Sequence, residues 1–183
     1  MVRISLTGAQ GTGKSTLARA IADRLIAEGR EVTLHEGLGD DVARSGLATG
    51  ALAGAESVRA FARLHRRREA AAAGALQLFD RCLLDALAYA QVLGCLPAAE
   101  FDDLRRDTAA SCARLTTLVW LRVTVEYPVH SPADETSEFR SAIDDAIGNL
   151  AHESGIALVE HAIPPDRVDD IASAVAESLA KYR

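Results

Sequence analysis

The spacing of apolar and polar positions changes period repeatedly along this chain, and each change marks an element boundary. Val2-Arg3-Ile4-Ser5-Leu6-Thr7 alternates with period two and predicts a strand. Past a glycine-rich stretch, Leu17, Ala18, Ile21, Ala22 and Leu25 recur at helical spacing, so Ser15 to about Glu28 predicts a helix. A turn at Gly29-Arg30 leads into a short second strand over 31–35. Asp40 or Asp41 is then expected to cap a short helix containing Val42, Ala43 and Arg44. Residues 55–74 read as a long helix stopped at Gly74, and 75–79 as an apolar third strand ending in Asp80-Arg81. Helices over 82–93 and 98–114 are separated by Gly94 and Pro97. The fourth strand, 116–123, is almost continuously apolar, as a strand covered on both faces should be, and Trp120 within it reads as core. Two prolines make 124–135 an irregular loop before a helix from about Thr136 to Glu153. After Gly155 come a fifth strand over 156–159, a turn over 162–167, and a last helix with Asp166 as its expected cap. Five short strands interleaved with helices predict an α/β fold, a parallel sheet covered on both faces with right-handed crossovers.

The stretch between the first strand and the first helix carries chemistry. Gly8-Ala9-Gln10-Gly11-Thr12-Gly13-Lys14-Ser15-Thr16 fits G-x-x-x-x-G-K-[ST], the phosphate-binding loop of P-loop nucleotide hydrolases and transferases. The glycines allow backbone conformations closed to residues with a Cβ, so that loop amides turn inward around phosphate oxygens at a helix N-terminus. In this pattern Lys14 reaches the β- and γ-phosphates and the Ser15 hydroxyl ligates magnesium. The third strand supplies the complement: an apolar strand ending in Asp80 is what a magnesium-shell carboxylate beside the loop requires, and Arg81 is placed to hold an acceptor phosphate or the travelling phosphoryl group.

Composition narrows the classes. At 183 residues the chain is expected to be a single domain with a substantial core. Its formal net charge of −6 argues against nonspecific nucleic-acid binding. Cys82, Cys95 and Cys112 lie far apart with no C-x-x-C, which suggests reduced thiols and a cytoplasmic location. The five histidines show no metal-ligand spacing. Met1 runs directly into the first strand, leaving no room for a signal peptide, and no apolar run approaches a membrane span.

Other residues are candidates by position. Glu36 ends the second strand, at the carboxyl edge where open α/β sheets bind ligands. Arg44 is a candidate for the substrate cleft and equally an ordinary surface arginine. The basic run 63–68 is spread around a helix and reads as a solvated face. Asp85 and Tyr89 are four apart and share a helix face, although the helix dipole already favours a carboxylate at Asp85.

Taken together, the phosphate loop, His35-Glu36, Phe79-Asp80-Arg81 and Asp85-Ala86-Leu87-Ala88-Tyr89-Ala90 resemble small bacterial P-loop kinases. These are proteins often labelled AAA-type ATPases and related to nicotinamide ribonucleoside kinase, and more broadly to nucleoside and nucleotide kinases. The likeness extends to Glu138-Phe139-Arg140 and Ile143-Asp144. It implies a three-layer P-loop fold with a five-stranded sheet of order 2-3-1-4-5 and a lid-like segment at about 124–140. It further implies ATP and magnesium as cofactors, held by Gly8, Gln10, Gly11, Thr12, Gly13, Lys14, Ser15 and Thr16, with Asp80 joining Ser15 at the metal. Glu36 would be the acid at the acceptor hydroxyl beside Asp80 and Arg81, with Arg44 and Asp85 as further acceptor contacts, and the turn Ala162 to Arg167 would hold the adenine. Many relatives carry an Asp-Gly-x-Arg lid; here the corresponding stretch, Ser131-Pro132-Ala133-Asp134-Glu135, has no arginine, leaving Arg140 or Arg122 to substitute.

The expectation is a cytoplasmic ATP- and magnesium-dependent phosphotransferase acting on a small nucleoside- or nucleotide-like acceptor, with no nucleic-acid or membrane partner and a possible homodimer. The arginine-less lid motivates an alternative, a regulatory ATPase in which nucleotide switches the lid and no small acceptor takes part.

Overall fold

The computed structural model describes residues 1–123, 136–156, 158–161 and 167–179. The expected lid loop, 124–135, and the turn residues 162–166, including the expected cap Asp166, lie outside the described residues. Five parallel strands form one sheet: β1 (Val2–Thr7), β2 (Val32–His35), β3 (Leu76–Asp80), β4 (Thr117–Leu121) and β5 (Leu158–His161), in the order β2-β3-β1-β4-β5. The central strand β1 is followed by the glycine loop and then by α1 (Lys14–Ala27).

The alternation in β1 is resolved by its two covers. Val2, Ile4 and Leu6 pack with Leu76 and Leu78 of β3 against α1 and the last helix, α7 (Val168–Ser178). The opposite face of β1 carries Ser5 and Thr7, both fully buried. Their hydroxyls are satisfied, since Ser5 Oγ donates to the Arg81 carbonyl at 3.1 Å and Thr7 Oγ1 to the Asp85 carboxylate at 3.3 Å. This polar strip is covered by the second helical layer, α3 (Ala55–Ala71), α4 (Leu83–Leu93), α5 (Ala98–Cys112) and α6 (Ser137–Ser154). A short α2 (Leu38–Arg44) and a single 3-10 turn at Gly50–Leu52 bridge β2 to α3.

Two local expectations are corrected. The cap of α2 is Gly37, in the left-handed region at φ 74°; Asp40 and Asp41 fall in the first turn, where the dipole favours acids. The fifth strand runs Leu158–His161, two residues later than the apolar run suggests, because its partners in β4 are Leu118 to Leu121. The start of α6 falls where expected, with Thr136 as its N-cap: the Thr136 hydroxyl accepts from the Phe139 amide at 3.2 Å. No described helix is long and apolar enough to cross a membrane.

Trp120 shows how the second layer is held to the sheet. It is buried, its indole Nε1 donates to Asp144 Oδ1 at 3.0 Å, and one turn further along α6 Gly148 makes room for its ring. A Cβ at Gly148 would lie 2.4 Å from Trp120 Cη2. Glycine to alanine in a helix interior ordinarily stabilises by about 1 kcal/mol. Here overpacking dominates, and Gly148→Ala is expected to destabilise by about 1–3 kcal/mol in urea unfolding. A gain in stability would contradict this packing.

Candidate functional site

The β1–β3 register places Leu6 opposite Asp80, so the carboxyl ends of the two central strands finish side by side. The glycine loop leaves one and Asp80-Arg81 leaves the other. Gly8 takes φ 148°, and a Cβ there would sit 2.4 Å from the Leu121 carbonyl oxygen of the neighbouring strand; no other residue fits. Gly13, at φ 86°, caps α1. Between them Gly11 is also left-handed, Thr12 Oγ1 donates to the Ala9 carbonyl at 3.0 Å, and Gln10 presents its carbonyl to Arg140.

Lys14 is the first residue of α1 and is only 4% exposed. Its ammonium folds back over the loop, donating to the Ala9 carbonyl at 2.5 Å and to Thr12 Oγ1 at 3.2 Å. Burial pushes its pKa down to about 7; the Arg81 charge adds to the effect and Arg140 contributes less, while Asp85 and Asp80 oppose it. A lysine so placed holds its proton poorly until an anion arrives.

Ser15 and Asp80 form a second cluster. Ser15 Oγ donates to Asp80 Oδ2 at 2.6 Å. The other carboxylate oxygen, Oδ1, is buried and accepts no hydrogen bond from the described residues. A hydroxyl and a carboxylate with an unsatisfied lone-pair face fit a hard divalent cation, which magnesium sites build from one or two carboxylates plus phosphate oxygens and water. Among the described residues no group of three or more His, Cys, Asp and Glu side chains makes a protein-only metal site. Thr16 follows on α1 and is exposed.

The other side of the loop is lined by Arg81, Asp85 and Arg140. Arg81 is held at φ 88°, a strained conformation for a residue with a side chain, and its amide donates to the Leu6 carbonyl at 3.0 Å. Asp85 is 1% exposed; it accepts from the Cys82 amide at 2.9 Å, and Arg81 Nη1 lies 3.5 Å from its second oxygen. Arg140 reaches over from α6, its Nε donating to the Gln10 carbonyl at 3.2 Å, and its Nη2 is buried with no hydrogen-bond partner among the described residues.

The loop family is identified at this point by comparison as well as by geometry, since a family model described as an AAA domain matches residues 3–166. The chain belongs to that family. It is a nucleotide-binding P-loop domain of the class that hydrolyses nucleotide or transfers its phosphoryl group. A search of curated proteins finds no match.

Within this AAA domain the remaining expected residues are more scattered. Glu36 stands at the end of β2, exposed, and its carboxylate is paired with Arg19 of α1 at 2.7 Å. Arg44 is exposed and turns to Asp41, which Arg68 of α3 also holds. Arg122 lies over the Trp120 ring, 4.4 Å from its centroid, and reaches Asp144 at 3.4 Å; of the two lid substitutes only Arg140 touches the loop. Arg167 caps α7, exposed, 3.5 Å from Asp170.

Beside the loop is a cavity of about 190 Å³ between α2, α3 and α4, reaching the loop at Gln10 and Arg81. Asp85 and Tyr89 both line it, as their four-residue spacing allows. Asp40, read from the sequence as a possible cap, lines it too, and so do Thr49 and Phe61, which carry no sequence signal at all because the chain reaches the cavity through an irregular segment and one helix face.

Nucleotide binding is expected to be proton-linked. Lys14 is largely neutral above pH 7, and a bound polyphosphate favours its charged form, so binding raises its pKa and takes up a proton. Between pH 7 and about pH 10 affinity for ATP falls as pH rises, and below pH 7 this linkage vanishes. Calorimetric titrations in buffers of different ionisation enthalpy near pH 8 should show uptake approaching one proton in the wild type and none from this source in Lys14→Met. Proton release, or no linkage, would contradict the buried, depressed lysine.

Proposed function

We propose that this AAA domain is a small-molecule kinase that moves the γ-phosphoryl group of ATP to a hydroxyl or phosphate of a nucleoside- or nucleotide-like acceptor. The observation that carries the reading is the cavity joined to the phosphate loop at Gln10 and Arg81: a place for a second substrate next to the γ-phosphate end of the loop. An ATPase switch needs no such acceptor chamber.

Bound magnesium ATP would supply the phosphoryl group. The chain's own part is positioning and charge neutralisation, which dominate phosphoryl transfer. Lys14 and Arg140 bring positive charge to the loop from two sides, and Ser15 and Asp80 would hold the metal. Arg140 takes the place of the absent lid arginine: its Nη2, without a hydrogen-bond partner among the described residues, is a ready donor for a developing anion. Glu36 receives the acceptor's proton once its carboxylate leaves Arg19, a surface pair weak enough to exchange.

Coupled assays of ADP release with ATP and magnesium, across nucleosides, nucleoside monophosphates and other hydroxylated metabolites, test the reading. Stimulation by one acceptor, with a phosphorylated product of matching mass, is expected; ATP turnover indifferent to every acceptor would favour the regulatory alternative. Lys14→Ala should abolish transfer while the far-ultraviolet circular dichroism is unchanged. Glu36→Gln should lose turnover and keep ATP affinity, and an equal loss of both would refute its role. Arg140→Ala should lower turnover by about 10²-fold, the scale of one lost oxyanion donor; wild-type turnover would remove Arg140 from the site.

A further inference from the structure

Asp85 is a buried carboxylate in the first turn of α4, only 1% exposed. Its Oδ2 accepts from the Cys82 amide at 2.9 Å, which is all that a capping role at this position asks. The same oxygen also accepts from Thr7 Oγ1 at 3.3 Å, and Oδ1 faces Arg81 Nη1 at 3.5 Å. Thr7 is the last residue of β1 before Gly8 opens the phosphate loop, and Arg81 is the first residue after β3. One carboxylate thus ties together the ends of two strands and the start of a helix. A neutral side chain can cap a helix, and burying an ion is costly unless it is paired. The Arg81 guanidinium supplies the pair.

The backbone of Arg81 is held by β1. Its amide donates to the Leu6 carbonyl at 3.0 Å, its carbonyl accepts from Ser5 Oγ at 3.1 Å, and φ is 88°. These bonds fix the Cα and leave a long, flexible side chain to be directed by its own contacts. Asp85 Oδ1 lies at its Nη1, and α2 passes beside its Nε at Gly39, where an added Cβ would stand 3.9 Å from that nitrogen. So placed, Arg81 lines the cavity where it meets the loop, close enough to Lys14 for its charge to act on the ammonium. Lysine in this class of loop reaches the β- and γ-phosphates, so Arg81 stands at the γ-phosphate end. Asp85 itself, buried and with Oδ2 committed to two donors, has little left to offer an acceptor.

We infer that Asp85 is a positioning residue: it holds the Arg81 guanidinium at the junction of loop and cavity, where the arginine meets the terminal phosphate of the bound nucleotide, and it does not itself contact an acceptor. The inference rests on nucleotide binding by the loop and is independent of what receives the phosphoryl group.

The test is calorimetric titration of the full chain, in magnesium, with ADP and with a non-hydrolysable ATP analogue; the ratio of the two affinities isolates contact to the γ-phosphate. Asp85→Asn keeps the shape and an oxygen for the Cys82 amide and removes the charge. It should weaken the analogue about tenfold, part of the roughly hundredfold scale of one donor lost outright, and change ADP affinity by less than about twofold. Arg81→Gln should cause a selective loss at least as large. Adding Asp85→Asn to Arg81→Gln should then cost the analogue no more than about twofold further, because no guanidinium remains to be held. Thr7→Val removes one donor to Oδ2 and leaves every charge in place; it should weaken the analogue selectively by about threefold, and it keeps the test decisive if Asp85→Asn does not fold. Equal loss of ADP and analogue in Asp85→Asn and Thr7→Val would make Asp85 a structural cap only and overturn the inference. Unchanged analogue binding in Asp85→Asn would overturn it too. So would a tenfold loss that persists in the Arg81→Gln background, since Asp85 would then act on the ligand directly. ATP turnover indifferent to every acceptor removes the kinase reading and leaves these expected ratios as they are.

Discussion

The whole site depends on the register that sets Leu6 of β1 opposite Asp80 of β3. Two parallel strands ending level with each other bring a phosphate loop and a carboxylate to one edge, although 65 residues separate Ser15 from Asp80. The 2.6 Å hydrogen bond between them follows from that register and not from local sequence. The same edge forces the strain at Arg81: its amide is tied to the Leu6 carbonyl while the chain turns into α4, and the residue lines the cavity beside the loop.

Charge at this edge is arranged so that positive groups are buried or restrained before any anion arrives. Lys14 is desolvated and close to losing its proton, Arg81 is matched to Asp85, and Arg140 leaves a buried donor unused. Each arrangement becomes more favourable when negative charge is added. Around the neighbouring cavity, Asp40 lines the wall, and Arg44, Arg68 and Arg59 are paired with Asp41, Glu56 and Glu100.

Much of this was legible in the residues themselves. The glycine loop, its lysine and serine, and the strand-terminal Asp80 are read directly, because phosphate binding uses contiguous backbone and metal binding uses the last residue of a strand. The parallel fold follows from strand and helix periods with short connections. Asp85 with Tyr89 was visible as an i,i+4 pair. By contrast, Asp40 reads as a helix cap, Glu36 gives no sign of its engagement with Arg19, and Arg44 looks equally suited to the cleft and the surface.

The sequence by itself determined which chemistry the chain can perform at its phosphate loop, because that chemistry is written in adjacent residues whose backbone geometry is local. Only the tertiary structure decided which distant side chains complete it. Arg140, and not Arg122, leans on Gln10, 130 residues away, because Trp120 and Asp144 hold Arg122 aside. Arg44 and Arg68 are held by a shared acid, Asp41, while the neighbouring Asp40 lines the cavity. Such assignments depend on which charged groups find each other across the fold, a competition among long side chains that no single segment of sequence encodes.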